Sequence, residues 1–109
     1  MSATSPDELF AIGYAACFES ALKVVARRER MRADDVKIGS KVMIVPTKER
    51  GFAVGVELDV SLPAVGEADA RRLVHKAHAV CPYSNATRGK IDVKLTANGH
   101  QLEQEALAV

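Results

Sequence analysis

The sequence predicts an α+β fold in which a long buried helix packs on an antiparallel sheet, with a second, amphipathic helix. Three patterns carry that expectation. From Ser5 to Arg30 the chain reads S-P-D-E-L-F-A-I-G-Y-A-A-C-F-E-S-A-L-K-V-V-A-R-R-E-R, and only Gly13 interrupts the apolar run from Leu9 to Phe18. A helix with no solvent face over that length is expected to be buried all round. Val36 to Val45 and Val54 to Leu62 alternate with a period of two, the mark of a sheet with one wet face. Ala70, Leu73, Val74, Ala77, Val80 and Cys81 then form an apolar stripe at helical spacing.

In chain order, Met1 to Thr4 form a lead-in without a folding signal. Ser5 can act as N-cap, Pro6 fits the first helical position, and Glu8 stands three residues on, as in a capping box. Lys23, Arg27, Arg28 and Arg30 gather where the helix dipole is negative, so this basic run reads as a solvated helix end. Asp34 and Asp35 suit a turn. The following strand sets Val36, Ile38, Ser40, Val42 and Ile44 on one face, and Pro46 stops it. Pro46 to Gly51 supplies turn formers, so the second strand returns antiparallel with Val54, Val56, Leu58, Val60 and Leu62 pointing one way.

Leu62 to Gly66 breaks that strand, and Glu67 and Asp69 supply acid to the first turn of the second helix. Arg71, Arg72, His75, Lys76 and His78 fall on or near its polar side, Cys81 closes it on the inward face, and Pro82 ends or kinks it. Ile91, Val93 and Leu95 alternate in a last strand, after which Asn98-Gly99 turns the chain outward. Residues 101–109 are expected to be a frayed tail on a single domain spanning 1–109. Three strands with one apolar face are few for covering a helix that is apolar on all sides, and a second copy in a two-fold homodimer is the expected cover.

At 109 residues, with 48% hydrophobic and 27% charged residues, the chain can bury one modest core. Fifteen Lys and Arg against fourteen Asp and Glu leave a net charge of +1, so no overall field draws it to nucleic acid or to an acidic membrane. The apolar run of the first helix is short against the roughly 20 residues of a membrane span, and no basic segment precedes it as in a signal peptide. Two cysteines without an export signal point to a reducing compartment, and the cytoplasm is the expected location.

Cys17 sits in the middle of the apolar run and Cys81 at the end of the amphipathic helix, both facing inward. Spacing alone leaves two readings open. In one, Cys17 attacks a peroxide oxygen, becomes a sulfenic acid and is resolved by Cys81 as a disulfide. In the other, the two are unrelated cysteines that pack as small hydrophobes.

The local motifs are more specific. G-Y-A-A-C-F around Cys17 and V-C-P-Y-S-N-A-T-R-G around Cys81 resemble the two cysteine motifs of the organic hydroperoxide resistance branch of the Ohr/OsmC family. The resemblance runs from about Thr4 to Ala97 and includes S-P-D-E-L-F-A, G-F-A-V-G-V-E-L-D-V-S-L-P and R-G-K-I-D-V-K-L. It implies an OsmC-like fold and a thiol-dependent peroxidase that reduces organic and fatty-acid hydroperoxides, with Cys17 peroxidatic and Cys81 resolving. It also implies a dithiol reductant such as a lipoylated protein, and an intertwined homodimer with active sites at the subunit interface. No cofactor is expected.

In that family, strands before the long helix carry an arginine that pairs with the reactive thiolate, and a glutamate ten residues before the peroxidatic cysteine orients it. Here the chain starts just before the helix, so the fold is expected to be truncated at the N-terminus and its turnover slowed. Asp7 holds the glutamate's position, one methylene shorter, with Glu8 beside it. Arg88 is the expected replacement cation.

Phe10 and Tyr14 lie on the Cys17 side of the first helix, where Gly13 leaves room, and they either fill the core or wall an apolar substrate. Tyr83 and Arg88 flank the second cysteine and either contact substrate or pack its turn. His75 and His78, three apart without a third ligand nearby, read as surface histidines rather than a metal site. The alternative to a peroxidase is a non-catalytic dimeric module that keeps the fold and the cysteines and binds an apolar ligand or partner without turnover.

Overall fold

Ser5 starts the first helix, α1 (Pro6–Arg28), as its spacing to Glu8 requires: the Ser5 hydroxyl accepts from the Glu8 N–H at 3.3 Å and donates to Glu8 Oε1 at 3.0 Å. The helix ends two residues short of the expected Arg30. Arg30 takes a left-handed φ of 57°, its N–H donates to the Arg27 carbonyl, and the Met31 N–H reaches back to the Ala26 carbonyl at 2.8 Å. This is a Schellman cap built on an arginine instead of a glycine.

The computed structural model describes residues 5–102. After α1 come β1 (Lys37–Pro46), β2 (Phe52–Ser61), α2 (Glu67–Val80), α3 (Pro82–Thr87), β3 (Asp92–Ala97) and β4 (His100–Gln101), and among the described residues the strands form one sheet in the order β1-β2-β3-β4. The first hairpin is antiparallel as expected, in register from Lys37 opposite Ser61 to Pro46 opposite Phe52. The next pairing corrects the expectation of an antiparallel sheet, because β3 runs parallel to β2, with Gly55 opposite Asp92 and Val60 opposite Ala97. The cause is the connection: a crossover through α2 and α3 returns the chain to the same end of the sheet, whereas a short turn would reverse it.

A second correction concerns Asn98-Gly99. Their φ values of 49° and 85° fold the chain back into β4 instead of outward. The Asn98 side chain accepts from the Leu62 N–H at 2.6 Å and donates to the Leu62 carbonyl at 3.1 Å, which ties this turn to the end of β2. Of the expected frayed tail, Gln101 is paired in β4 and Leu102 is buried. Residues 103–109 lie outside the described residues, as do Met1 to Thr4.

The core lies where α1 and α2 cover one face of the sheet. Tyr14, Phe18, Leu22 and Val25 of α1 meet Leu73, Val74 and Ala77 of α2 and the inward residues Val56, Leu58, Val60, Val93 and Leu95. Glu29, just past α1, pairs with Arg72 and Lys76 of α2, so the two helices are also joined at their solvent edge.

Burial of α1 is one-sided, against the expectation of burial all round. Leu9 and Ile12 are 60% and 64% exposed, and Phe10 and Cys17 are half-buried. The exposed positions Leu9, Ile12, Ala16, Ser20, Lys23 and Arg27 follow the helical repeat and change from apolar to polar along it. Among the described residues α1 packs chiefly on β1, α2 and α3, and they leave this flank open. By length and a mean hydropathy of 1.5, α1 is long and apolar enough to cross a membrane, more than its shorter apolar run suggested. Its large apolar side chains beyond Ile12 nevertheless serve the core.

Candidate active site

The site forms where the middle of α1 meets the junction of α2 and α3. Pro82 disfavours helical geometry in the residue before it, so Cys81 turns extended (φ −62°, ψ 122°) and serves both as the last cap of α2 and the N-cap of α3. That break delivers its side chain to α1. The Cys81 thiol lies 3.2 Å from Cys17 Sγ, and both cysteines are free. Cys81 is fully buried, whereas Cys17 is only half-buried.

Three aromatic rings, two from α1 and one from α3, form a cluster at the same junction. Phe10 meets Tyr14 edge-on at 5.9 Å between centroids and stacks on Tyr83 at the same distance, while Tyr14 and Tyr83 meet edge-on at 5.7 Å. Each such pair is worth about 0.5–1.5 kcal/mol beyond its area. Gly13 permits the arrangement, since a Cβ there would stand 3.2 Å from the Tyr83 hydroxyl oxygen. A glycine within a helix costs about 1 kcal/mol relative to alanine. Tyr83 remains 39% exposed, so the ring cluster has a face open to solvent.

Beneath the rings runs a buried polar chain. Tyr14 Oη lies 2.7 Å from Ser84 Oγ and 3.4 Å from Thr87 Oγ1, and the Thr87 hydroxyl donates to the Ser84 carbonyl. His78 Nδ1 stands 2.8 Å from the same Ser84 hydroxyl. This corrects the placement of His78 on the polar face of α2: it is only 4% exposed. Spacing carried that signal, because 78 follows Ala70 and Val74 at intervals of four. Ser84 and Thr87 were also missed, although Ser84 stands three residues beyond Cys81, where a cap and the first helical turn meet.

The electrostatics follow from burial. Desolvation pushes the Tyr14 phenol above its usual range, so the group stays protonated, with Ser84 and Thr87 partly opposing that shift. Burial, the Arg88 guanidinium and then His75 hold the His78 imidazole down to about 4. Burial also pushes the Cys81 thiol up, opposed first by the Ser84 N–H and also by the Ser84 hydroxyl, while its contact with Cys17 adds to the rise.

The remaining expected residues are placed as follows. Arg88 donates to Asn85 Oδ1 and, at 2.9 Å, to the His78 carbonyl, closing α3 back on α2. Among the described residues none of its hydrogen bonds reaches either sulfur. Asp7 lies half-buried in the first turn of α1, ten residues or about 15 Å along the axis from Cys17, and the fold does not bring it to the sulfurs. His75 and His78 do not converge on a further ligand, and no group of three or more His, Cys, Asp or Glu gathers among the described residues.

Comparison with known proteins locates this arrangement. The family model described as OsmC-like protein matches residues 1–96. An organic hydroperoxide resistance protein of Xanthomonas axonopodis pv. citri is 50% identical over 96 residues, covering 85% of this chain and 66% of its own length. The organic hydroperoxide resistance protein OhrA of Bacillus subtilis is 46% identical over 93 residues with the same coverage. The chain thus spans 66% of these curated relatives, just under two thirds. Among solved structures, the organic hydroperoxide resistance protein OhrB of Bacillus subtilis superposes with a TM-score of 0.83 at 43% identity, over 87% of this chain and 70% of that one.

One acid-stability prediction follows from His78. The unfolded imidazole takes its proton near pH 6.5 and the buried one only near pH 4, so between these values the unfolded state binds more protons and stability falls as pH falls. Denaturant unfolding of the wild type should lose on the order of 3 kcal/mol from pH 6.5 to 4, and His78→Asn should flatten that slope. Parallel curves for the two proteins would show that His78 does not titrate this way.

Proposed function

The chain belongs to the OsmC-like family, in its organic hydroperoxide resistance branch, and from that premise we propose that it is a thiol-dependent peroxidase acting on organic hydroperoxides. One observation carries the proposal: a half-exposed cysteine in contact, at 3.2 Å, with a fully buried one. The exposure difference supports the assignment of roles, since a peroxide can reach Cys17 while Cys81 waits behind it.

In the first step the Cys17 thiolate attacks the outer oxygen of the hydroperoxide. The O–O bond breaks, an S–O bond forms, and the alkoxide takes a proton to leave as the alcohol. In the second, Cys81 attacks the sulfenic sulfur, the S–S bond forms, and the hydroxyl leaves as water. A dithiol such as a lipoylated protein then reduces the disulfide and is itself oxidised to a disulfide. Phe10 and Tyr83, backed by the fully buried Tyr14, supply the apolar wall that suits an alkyl or fatty-acid chain, so Tyr14 belongs to the core and not to the substrate surface. In this reading Asp7 takes no part at the sulfurs, and Arg88 braces the loop that carries Cys81.

The open flank of α1 supports a homodimer. Leu9, Ile12 and Ala16 form an exposed apolar strip beside the half-buried Cys17, and a second copy would cover it and complete the substrate wall. Light scattering should give the mass of a dimer at micromolar concentration, and Ile12→Asp should shift it towards monomer. A wild-type monomer would contradict the cover assigned to this strip.

Adding one equivalent of an alkyl hydroperoxide to the reduced protein should produce a species lighter by two hydrogens, with a peptide pair joined through Cys17 and Cys81. Cys17→Ser should not form it, and Cys81→Ser should stop at the sulfenic acid. A wild type that accumulates sulfenic acid with Cys81 still free would remove the resolving role.

A further inference from the structure

Two contacts join α1 to the start of α3 along one seam. Cys17 meets Cys81 at 3.2 Å, and Tyr14 Oη meets Ser84 Oγ at 2.7 Å, with Thr87 Oγ1 further along α3 at 3.4 Å. Tyr14 precedes Cys17 by three residues, about 4.5 Å along the axis and on nearly the same face, while Ser84 follows Cys81 by three in the first turn of α3. Positions fall along α1 as they rise along α3, so the hydroxyl pair is a second rung beside the sulfur pair. One rung fixes a distance, and two also fix the angle at which the helices meet.

A helix as short as α3 does not hold that angle by itself. It has six residues, and Cys81 is extended where α2 would otherwise continue into it. Its anchor is Ser84. This hydroxyl also lies 2.8 Å from His78 Nδ1, and because a hydroxyl can give one bond and accept two, a single side chain joins α1, α2 and α3. Tyr14 and Ser84 are both fully buried, so separating them leaves two hydroxyls without water to take the partner's place.

We propose that the Tyr14–Ser84 hydrogen bond is the positioning device that holds Cys81 Sγ on Cys17 Sγ for disulfide formation. Tyr14 and Ser84 are positioning residues. Among the described residues no side-chain hydrogen bond of theirs reaches either sulfur, and they act by fixing the helices that carry the two cysteines. The inference rests on the peroxidase reading and deepens its second step. There the Cys81 thiol gives up its proton, its sulfur attacks Cys17–SOH, the S–S bond forms and the S–O bond breaks, and the departing hydroxide takes up that proton to leave as water. Such a displacement needs the attacking sulfur in line with the breaking bond, and a misplacement of about 1 Å can cost on the order of a hundredfold in rate. The sulfurs already touch, so a bond one turn away has only to keep them there.

The test uses no peroxide, so its failure is separable from failure of the peroxidase reading. Each protein is equilibrated in a fixed buffer of reduced and oxidised glutathione and quenched in acid, and its ratio of Cys17–Cys81 disulfide to dithiol is read by mass spectrometry. Removing a residue that only stabilises the fold weakens both redox forms alike, so this ratio isolates alignment. Tyr14→Phe and Ser84→Ala should each lower it about tenfold, and the double variant should fall no further than either alone, because both remove the same bond. Val93→Ala, a core truncation in β3, should stay at the wild-type ratio. Single variants at the wild-type ratio would overturn the positioning role, and a double variant lower by about a hundredfold would overturn action through one bond. An equal fall in Val93→Ala would overturn it as well, by reducing the pair to general packing. Should a variant fail to fold, proton NMR of the wild type decides: a slowly exchanging Tyr14 hydroxyl proton is expected in the dithiol and disulfide forms alike, and its free exchange in either would overturn the proposal.

Discussion

The approach of the middle of α1 to the break between α2 and α3 is the constraint on which the rest of the site depends. Cys17 and Cys81 are separated by 64 residues, yet their sulfurs touch, and the same approach joins Tyr14 to Ser84 and seats Tyr83 over Gly13. None of these contacts can be kept if the helix moves outward. The apolar pairs contribute modestly, but the buried hydroxyls raise the cost of separation, because each left without a partner costs about 1–3 kcal/mol. Tyr14 therefore both fills the core and locks the site with one side chain.

The proposed chemistry at this junction uses differences in exposure. A reactive thiol has to be reachable and a resolving thiol has to be near and protected, and the half-buried Cys17 beside the fully buried Cys81 meets both conditions. Protection has an electrostatic cost, since burial disfavours the thiolate of Cys81. The Ser84 N–H and hydroxyl oppose that cost from the same turn that Pro82 forces open. Arg88 contributes at one remove: its hydrogen bond to the His78 carbonyl fixes the α3 end, and its charge helps to keep the imidazole neutral.

Much of this was legible in the residues. The cap at Ser5, the two alternating strands, the stripe of α2 and the inward turn of both cysteines all follow from local rules that the tertiary structure leaves intact. Long-range geometry was less legible. The parallel pairing of β2 and β3 follows from the crossover between them, which strand alternation alone does not reveal. The polarity of His78 points outward while its spacing from Ala70 and Val74 places it inside, and Ser84 and Thr87 look like ordinary turn residues until Tyr14 arrives from α1. The apolar flank at Leu9 and Ile12 was visible as excess hydrophobicity, but only the packed chain shows which side of the helix is left uncovered.

The central claim is that the touching sulfurs form a catalytic cycle, and turnover tests it most directly. Consumption of an alkyl hydroperoxide should be sustained over many equivalents with a dithiol reductant, and it should vanish in Cys17→Ala. No consumption by the folded wild-type protein, or an undiminished rate in Cys17→Ala, would contradict the account.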